Sequence, residues 1–257
     1  MSALNQSVEL LRRYMIARIP FISLQTIERA RVLDCFKQIA EELSLSIYVH
    51  TLSKGVYDIV SNKVCNEDKS VYGAVDFFAE QIKRRQNLTL ILTEIPDLSV
   101  DNSDSRQILD LVNLANETGG SIIVFSQHAI WNRLQRSGMT IKIDLPNEEE
   151  MYPIIKEYID DYRAEIPIEW DDGDIREAAS ILAGVTGIEA ENVMAALIAK
   201  KKITKADMDE VRMAKDRLFA DISGLEKIEV DESVKDVGGL AGLRNWLDEK
   251  KQLLQPE

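Results

Sequence analysis

The stretch "LTLILTEIPD", Leu88–Asp97, decides the fold. Beyond Thr89 it runs through Leu90, Ile91 and Leu92 with no polar alternation, as a strand does when both of its faces are covered. Similar short apolar runs lie on either side: "IPFISLQT" and "SIYVHT" before it, "SIIVFS" and "IKIDL" after it. The segments between them are helical in pattern. One carries Val32, Phe36, Ile39 and Leu43 on a single face, and others are expected near 70–86, 104–118 and 129–136. The pair Gly119–Gly120 suits a helix C-cap. Strand–helix alternation of this kind predicts an α/β fold with a parallel sheet covered on both sides.

Beyond Pro146 the strand signals fade. Ile154, Ile155, Tyr158, Ile159 and Tyr162 form one helical stripe, and further helices are expected near 173–184, 188–201 and 204–220. An N-terminal stripe of Leu4, Val8, Leu11 and Met15 precedes the first strand. The plan is an α/β domain over 1–146, a small helical domain over 147–222, and a linker with a terminal motif over 223–257.

Composition narrows the function. The chain has 257 residues, 45% of them hydrophobic and 29% charged, with a formal net charge of −13. That balance argues against a nucleic-acid-binding surface, which needs clustered cations to displace counterions, and no nucleic-acid partner is expected. It also disfavours docking on anionic lipid. The short basic runs Arg12–Arg13, Lys83–Arg84–Arg85 and Lys200–Lys201–Lys202 fall at expected helix ends, where they complement the helix dipole. Two cysteines, Cys35 and Cys65, make no disulfide framework, and with His50 and His128 they reach no familiar metal spacing. No run is long enough to span a bilayer, so no membrane insertion is expected and the expected setting is cytoplasmic.

A nucleotide site is the first chemistry to seek in such a fold. None of the 12 glycines is followed by lysine, so the phosphate loop G-x-x-x-x-G-K-[ST] is absent, as is G-x-G-x-x-G. The turn after the first strand reads "LQTIERAR", with Thr26 as an expected N-cap. A phosphate there would meet the Glu28 carboxylate. The third strand ends with Thr93 where a metal-binding aspartate would stand, and Glu94 at the position of a catalytic base. Ser126–Gln127–His128 has no glycine-flanked nucleophile elbow, and His128 is expected to begin the next helix. Asp171, Asp172 and Asp174 lack the periodicity of a calcium loop and are expected to cap a helix. "TLSKGVYDI", with Lys54 and Gly55, reads as a strand-exit loop.

The final motif supplies a family. "DESVKDVGGLAGLRNWL" resembles the lead-in segment of AAA-type ATPase modules. "LPNEEEMYPIIKEYI" is similar to that family's boundary between α/β core and helical lid, and "SIIVFS" to its sensor-one strand. "LQRSGMTIKIDLP" is similar to the arginine-finger stretch, with Arg136 nearest that position. The lid and the N-terminal half look like the plastid- and cyanobacterial-type AAA proteins known as hypothetical reading frames.

The resemblance implies a P-loop-NTPase-like core without its P-loop, whose catalytic positions survive only as the remnants Thr93, Glu94, Ser126 and Arg136. It implies no cofactor in this chain, with ATP and Mg belonging to the complete family member. Asp236, Val237 and Gly238 would lie against adenine only with a motor module attached, glycine permitting the close approach. The function this implies is a non-catalytic N-terminal region that serves assembly, partner recruitment or regulation, with protein partners or self-assembly. The location it implies is the cytoplasm, or the plastid stroma in a plastid-bearing source. A free-standing interaction module and a residual nucleotide sensor are the alternatives, and a monomer or weak oligomer is expected.

Overall fold

A computed structural model describes residues 3–95 and 97–223. The expected terminal motif with Asp236, Val237 and Gly238 lies outside the described residues. Strands β1 (Phe21–Gln25), β2 (Ser46–Thr51), β3 (Gly55–Asp58), β4 (Val64–Asn66), β5 (Leu88–Leu92), β6 (Ser121–Ser126) and β7 (Met139–Lys142) form one sheet. Its order is β4-β3-β2-β5-β6-β1-β7. The pairs β2–β5, β5–β6, β6–β1 and β1–β7 are parallel, as expected from the apolar runs.

Strands β3 and β4 correct the expectation of a plain exit loop. They pair antiparallel beyond β2. Gly55 makes the return possible, with φ of +77° in the left-handed region. A Cβ there would sit 2.3 Å from the Asn66 carbonyl oxygen. These strands, of 4 and 3 residues, are too short to show a period in sequence. The last strand also shifts, to Met139–Lys142, ahead of the expected "IKIDL". Gly138 crosses the start of β1 so closely that a Cβ would lie 1.8 Å from the Phe21 carbonyl oxygen. Pairing can therefore begin at once, with Met139 beside Ile22.

Strand side chains alternate between two cores. On one face, Leu88, Leu90, Leu92, Ile122 and Val124 pack with α3 (Val71–Arg84) and α4 (Ser103–Thr118). On the other, Ile22, Leu24, Ile47, Val49 and Ile123 pack with α1 (Ala3–Ile16) and α2 (Arg29–Leu43). The stripe Val32, Phe36 and Ile39 is fully buried, and Leu11 and Met15 anchor α1. Helix α4 ends at Gly119 in the left-handed conformation, with its N–H bonded to the Ala115 carbonyl. Between β6 and β7 lies the short α5 (Asn132–Gln135).

The helical portion contains α6 (Glu148–Tyr162), α7 (Asp172–Leu182), α8 (Gly187–Ile198) and α9 (Met208–Ser223). Asp171 caps α7 in a reciprocal box with Asp174, which is the capping role expected of that acidic cluster. Thr186 and Glu189 do the same for α8. Trp170, 1% exposed, donates its indole N–H to the Thr204 carbonyl at 2.9 Å. One compact unit runs to Lys215, and a second begins at Asp216. Among the described residues no helix is long and apolar enough to cross a membrane.

Candidate functional site

The C-terminal ends of β1, β5 and β6 open into a cleft of about 470 Å³. Crevices at this end of an open α/β sheet are the usual ligand sites of such folds. Its lining includes Thr26, Arg29, Glu94, Asp97, Ser126 and His128. The structure therefore gathers three of the four expected remnants, Thr93, Glu94 and Ser126, around one opening.

Their hydrogen bonds are internal. The Thr93 hydroxyl donates to the His50 carbonyl oxygen at 2.9 Å and so ties β5 to β2. Ser126 Oγ lies 3.3 Å from Ser23 Oγ across β6 and β1. Glu94 forms an ion pair with Arg29, from the first turn of α2. Both side chains are about two-fifths exposed, at 39% and 40%, so the pair is worth little to stability. It does pair the carboxylate expected at the base position with a cation. Arg136 stands apart, exposed at the C-cap of α5, and is absent from the cleft lining. His128 sits exposed on the rim, ahead of α5 rather than at its start. In the same lining, the hydroxyl and amide of Ser99 hold the Asp97 carboxyl below its ordinary value.

The turn after β1 departs from expectation. Thr26 does not cap α2; its hydroxyl oxygen accepts the Glu28 N–H at 3.0 Å, and Glu28 itself is the N-cap residue. Nor does the Glu28 side chain face the strand-end cleft. It turns into the interior, 4% exposed, and accepts the Gly187 N–H at 3.1 Å. Gly187 is the first residue of α8. A core carboxylate thus occupies a helix N-terminus in the helical portion, a position suited to an anion.

Arg31, one turn along α2, completes a network. Its Nη2 donates to Glu150 Oε2 at 2.6 Å, and its Nη1 lies 3.5 Å from Glu28 Oε2. The Glu150 side chain is 7% exposed, and its other oxygen accepts the Leu4 N–H of α1 at 2.8 Å. Two buried carboxylates on one guanidinium therefore join α1, α2, α6 and α8. Sequence reading singled out Glu28 and missed Arg31, Glu150 and Gly187. The i,i+3 spacing of Glu28 and Arg31 was the available local signal. The links to Glu150 and Gly187 span 119 and 159 residues and leave no local trace. Among the described residues no group of three His, Cys, Asp or Glu could hold a metal ion.

Comparison with known proteins agrees with this architecture. Residues 7–143 match the family model described as SpoVK-like AAA ATPase, N-terminal domain, and residues 149–221 match SpoVK-like AAA ATPase, second domain. A chain of the Escherichia coli MS115-1 HORMA:CdnC:Trip13 complex shares the fold with a TM-score of 0.58 at 10% identity, over 83% of this chain and 88% of that one. Caenorhabditis elegans PCH-2 gives 0.59 at 11% identity, over 85% and 69%. A Thermotoga maritima RuvB gives 0.55 at 14%, over 88% and 73%. Comparison with curated proteins gives no match.

Proposed function

The chain belongs to the SpoVK-like AAA ATPases, and from that premise we propose that its α/β and helical portions form a non-catalytic part of such an ATPase. Their role is assembly, partner recruitment or regulation. ATP and Mg binding belong to another module of the complete family member. The observation that carries this reading is the Glu28 carboxylate seated on the N-terminus of α8. A phosphate brought to the same place would meet a buried negative charge, and no glycine-rich backbone lies after β1 to cradle it. The Arg29–Glu94 pair supports the same conclusion, because the residue positioned as a base is already bound to a cation. One fold neighbour is solved within a multiprotein complex, in keeping with a role among protein partners. A place in the cytoplasm or plastid stroma, and kinship with the plastid- and cyanobacterial-type proteins, belong to the same proposal.

Steady-state ATP hydrolysis and titration with labelled ATP test it. The expected result is no turnover above buffer and no saturable binding. Turnover that disappears in Glu94→Gln would refute the reading and make the strand-end cleft a working site.

A further inference from the structure

Beside the buried network lies a second and larger hollow, of about 930 Å³, between α1, α2, α6 and α8. Leu4, Val8, Leu33 and Ile154 give it half-buried apolar walls. At its lips stand Ile27 and Ile188, 54% and 60% exposed, among the most exposed large apolar side chains of the described residues. An aliphatic side chain left this far in water marks a contact surface when it adjoins an apolar hollow. Because the apolar surface continues past the mouth, the hollow suits an extended partner better than a small molecule enclosed within it.

The charge left without an ion-pair partner around the hollow has one sign among the described residues. Its two cations are already engaged, Arg29 by Glu94 and Arg31 by Glu28 and Glu150. Asp34 on α2 and Glu191 on α8 face the same hollow, are exposed, and have no ion-pair partner among the described residues. An anionic ligand is therefore repelled, and a cation-bearing one is attracted at the rim and desolvated at the lips. We propose that this cleft docks a basic amphipathic segment of a partner protein, with its apolar face on Ile27 and Ile188 and its lysines or arginines on Asp34 and Glu191. The proposal rests on the recruitment role given above and names the partner's chemistry. The buried clamp fits this use. It holds the walls contributed by α1, α2, α6 and α8 together before anything binds, so less ordering is lost on association.

The test is fluorescence anisotropy with a labelled helical peptide of about 14 residues, four turns of leucine and lysine in amphipathic order. Two matched peptides accompany it, one with glutamate in place of lysine and one with serine in place of leucine. The leucine–lysine peptide should bind saturably, and both others should bind roughly tenfold or more weakly. Asp34→Lys with Glu191→Lys, and separately Ile188→Ser, should each weaken binding by about tenfold or more. These residues are exposed, so unchanged thermal melting will confirm that the variants fold.

Asp110→Lys with Glu117→Lys, at exposed positions of α4, makes the same change in net charge and should leave binding nearly unchanged. Equal weakening by the α4 pair, or equal binding of the glutamate peptide, would overturn the proposal. ATP turnover by the chain would refute the non-catalytic reading and leave the peptide result standing. Loss of specific peptide binding without turnover would remove this surface alone.

Discussion

Arg31→Met removes the cation of the buried network and keeps most of the side-chain volume. Glu28, with a side chain 4% exposed, would then hold a buried charge without its Arg31 partner, and Glu150, 7% exposed, would lose the same guanidinium. Removing one partner from a buried ion pair costs about 3–5 kcal/mol, because the remaining charge is desolvated and uncompensated. For a protein of this size each kcal/mol lowers the melting temperature by about 2–4 °C, so the variant should melt about 6–20 °C lower. Circular dichroism measures this directly. Hydrogen exchange adds position, since the Leu4 and Gly187 amides bond to the two carboxylates at 2.8 and 3.1 Å and should both exchange faster. Adding Glu28→Gln and Glu150→Gln to Arg31→Met removes the carboxylate charges that Arg31 met and should recover much of the loss, as when a whole buried ion cluster becomes neutral. A loss below about 3 °C, or one that the triple variant leaves unrelieved, would show that these residues do not form a buried clamp.

Two further changes probe the frame around the site. Gly138→Ala would push a methyl group to 1.8 Å from the Phe21 carbonyl oxygen, a backbone atom that cannot rotate away. It should destabilise by about 1–3 kcal/mol in urea unfolding, and a neutral result would mean that β7 does not cross β1 this closely. Asp207 concerns the helical portion. Burial pushes its carboxyl up, but the Lys200 ammonium and the Thr204 hydroxyl and N–H pull it further down, to below its ordinary value. With the folded value depressed, its stabilisation is complete above the unfolded value of about 3.9 and is lost as pH falls through the folded one. Asp207→Asn should therefore lower the urea midpoint at neutral pH and flatten the acid decline below about pH 4; an unchanged acid limb would contradict the assignment.

The parallel core was legible because its strands are buried on both faces. Leu88–Leu92 and Ser121–Ser126 read as apolar runs, and the stripe Val32, Phe36, Ile39 showed which helix face covers them. The Asp171–Asp174 box and Gly119 marked helix ends because capping is local chemistry. What escaped depends on contacts far apart in sequence or on short elements. The β3–β4 extension rests on one left-handed glycine and strands of a few residues. The start of α2 moved because Thr26 holds the Glu28 N–H in a tight turn instead of capping the helix. At the site, the sequence named Thr93, Glu94 and Ser126, which do meet at one opening. It gave no sign that Glu28 would turn away from that opening toward α8.

That turn connects the fold to the proposed function. A helix N-terminus carries unsatisfied N–H groups and a partial positive charge, which draws anions from solution when nothing in the protein meets it. Here α8 is met by Glu28 and α1 by Glu150, and a single arginine contacts both carboxylates. At these two helix ends the attraction that would recruit a phosphate is already satisfied within the chain. Opening the interface between α2 and α8 would require exposing Glu28 and freeing the Gly187 N–H, so the two portions are held together without a ligand. On the proposed reading, a unit closed in this way offers a fixed surface instead of one that cycles with nucleotide. A fixed surface is what a docking role needs, because its shape then depends on the protein alone.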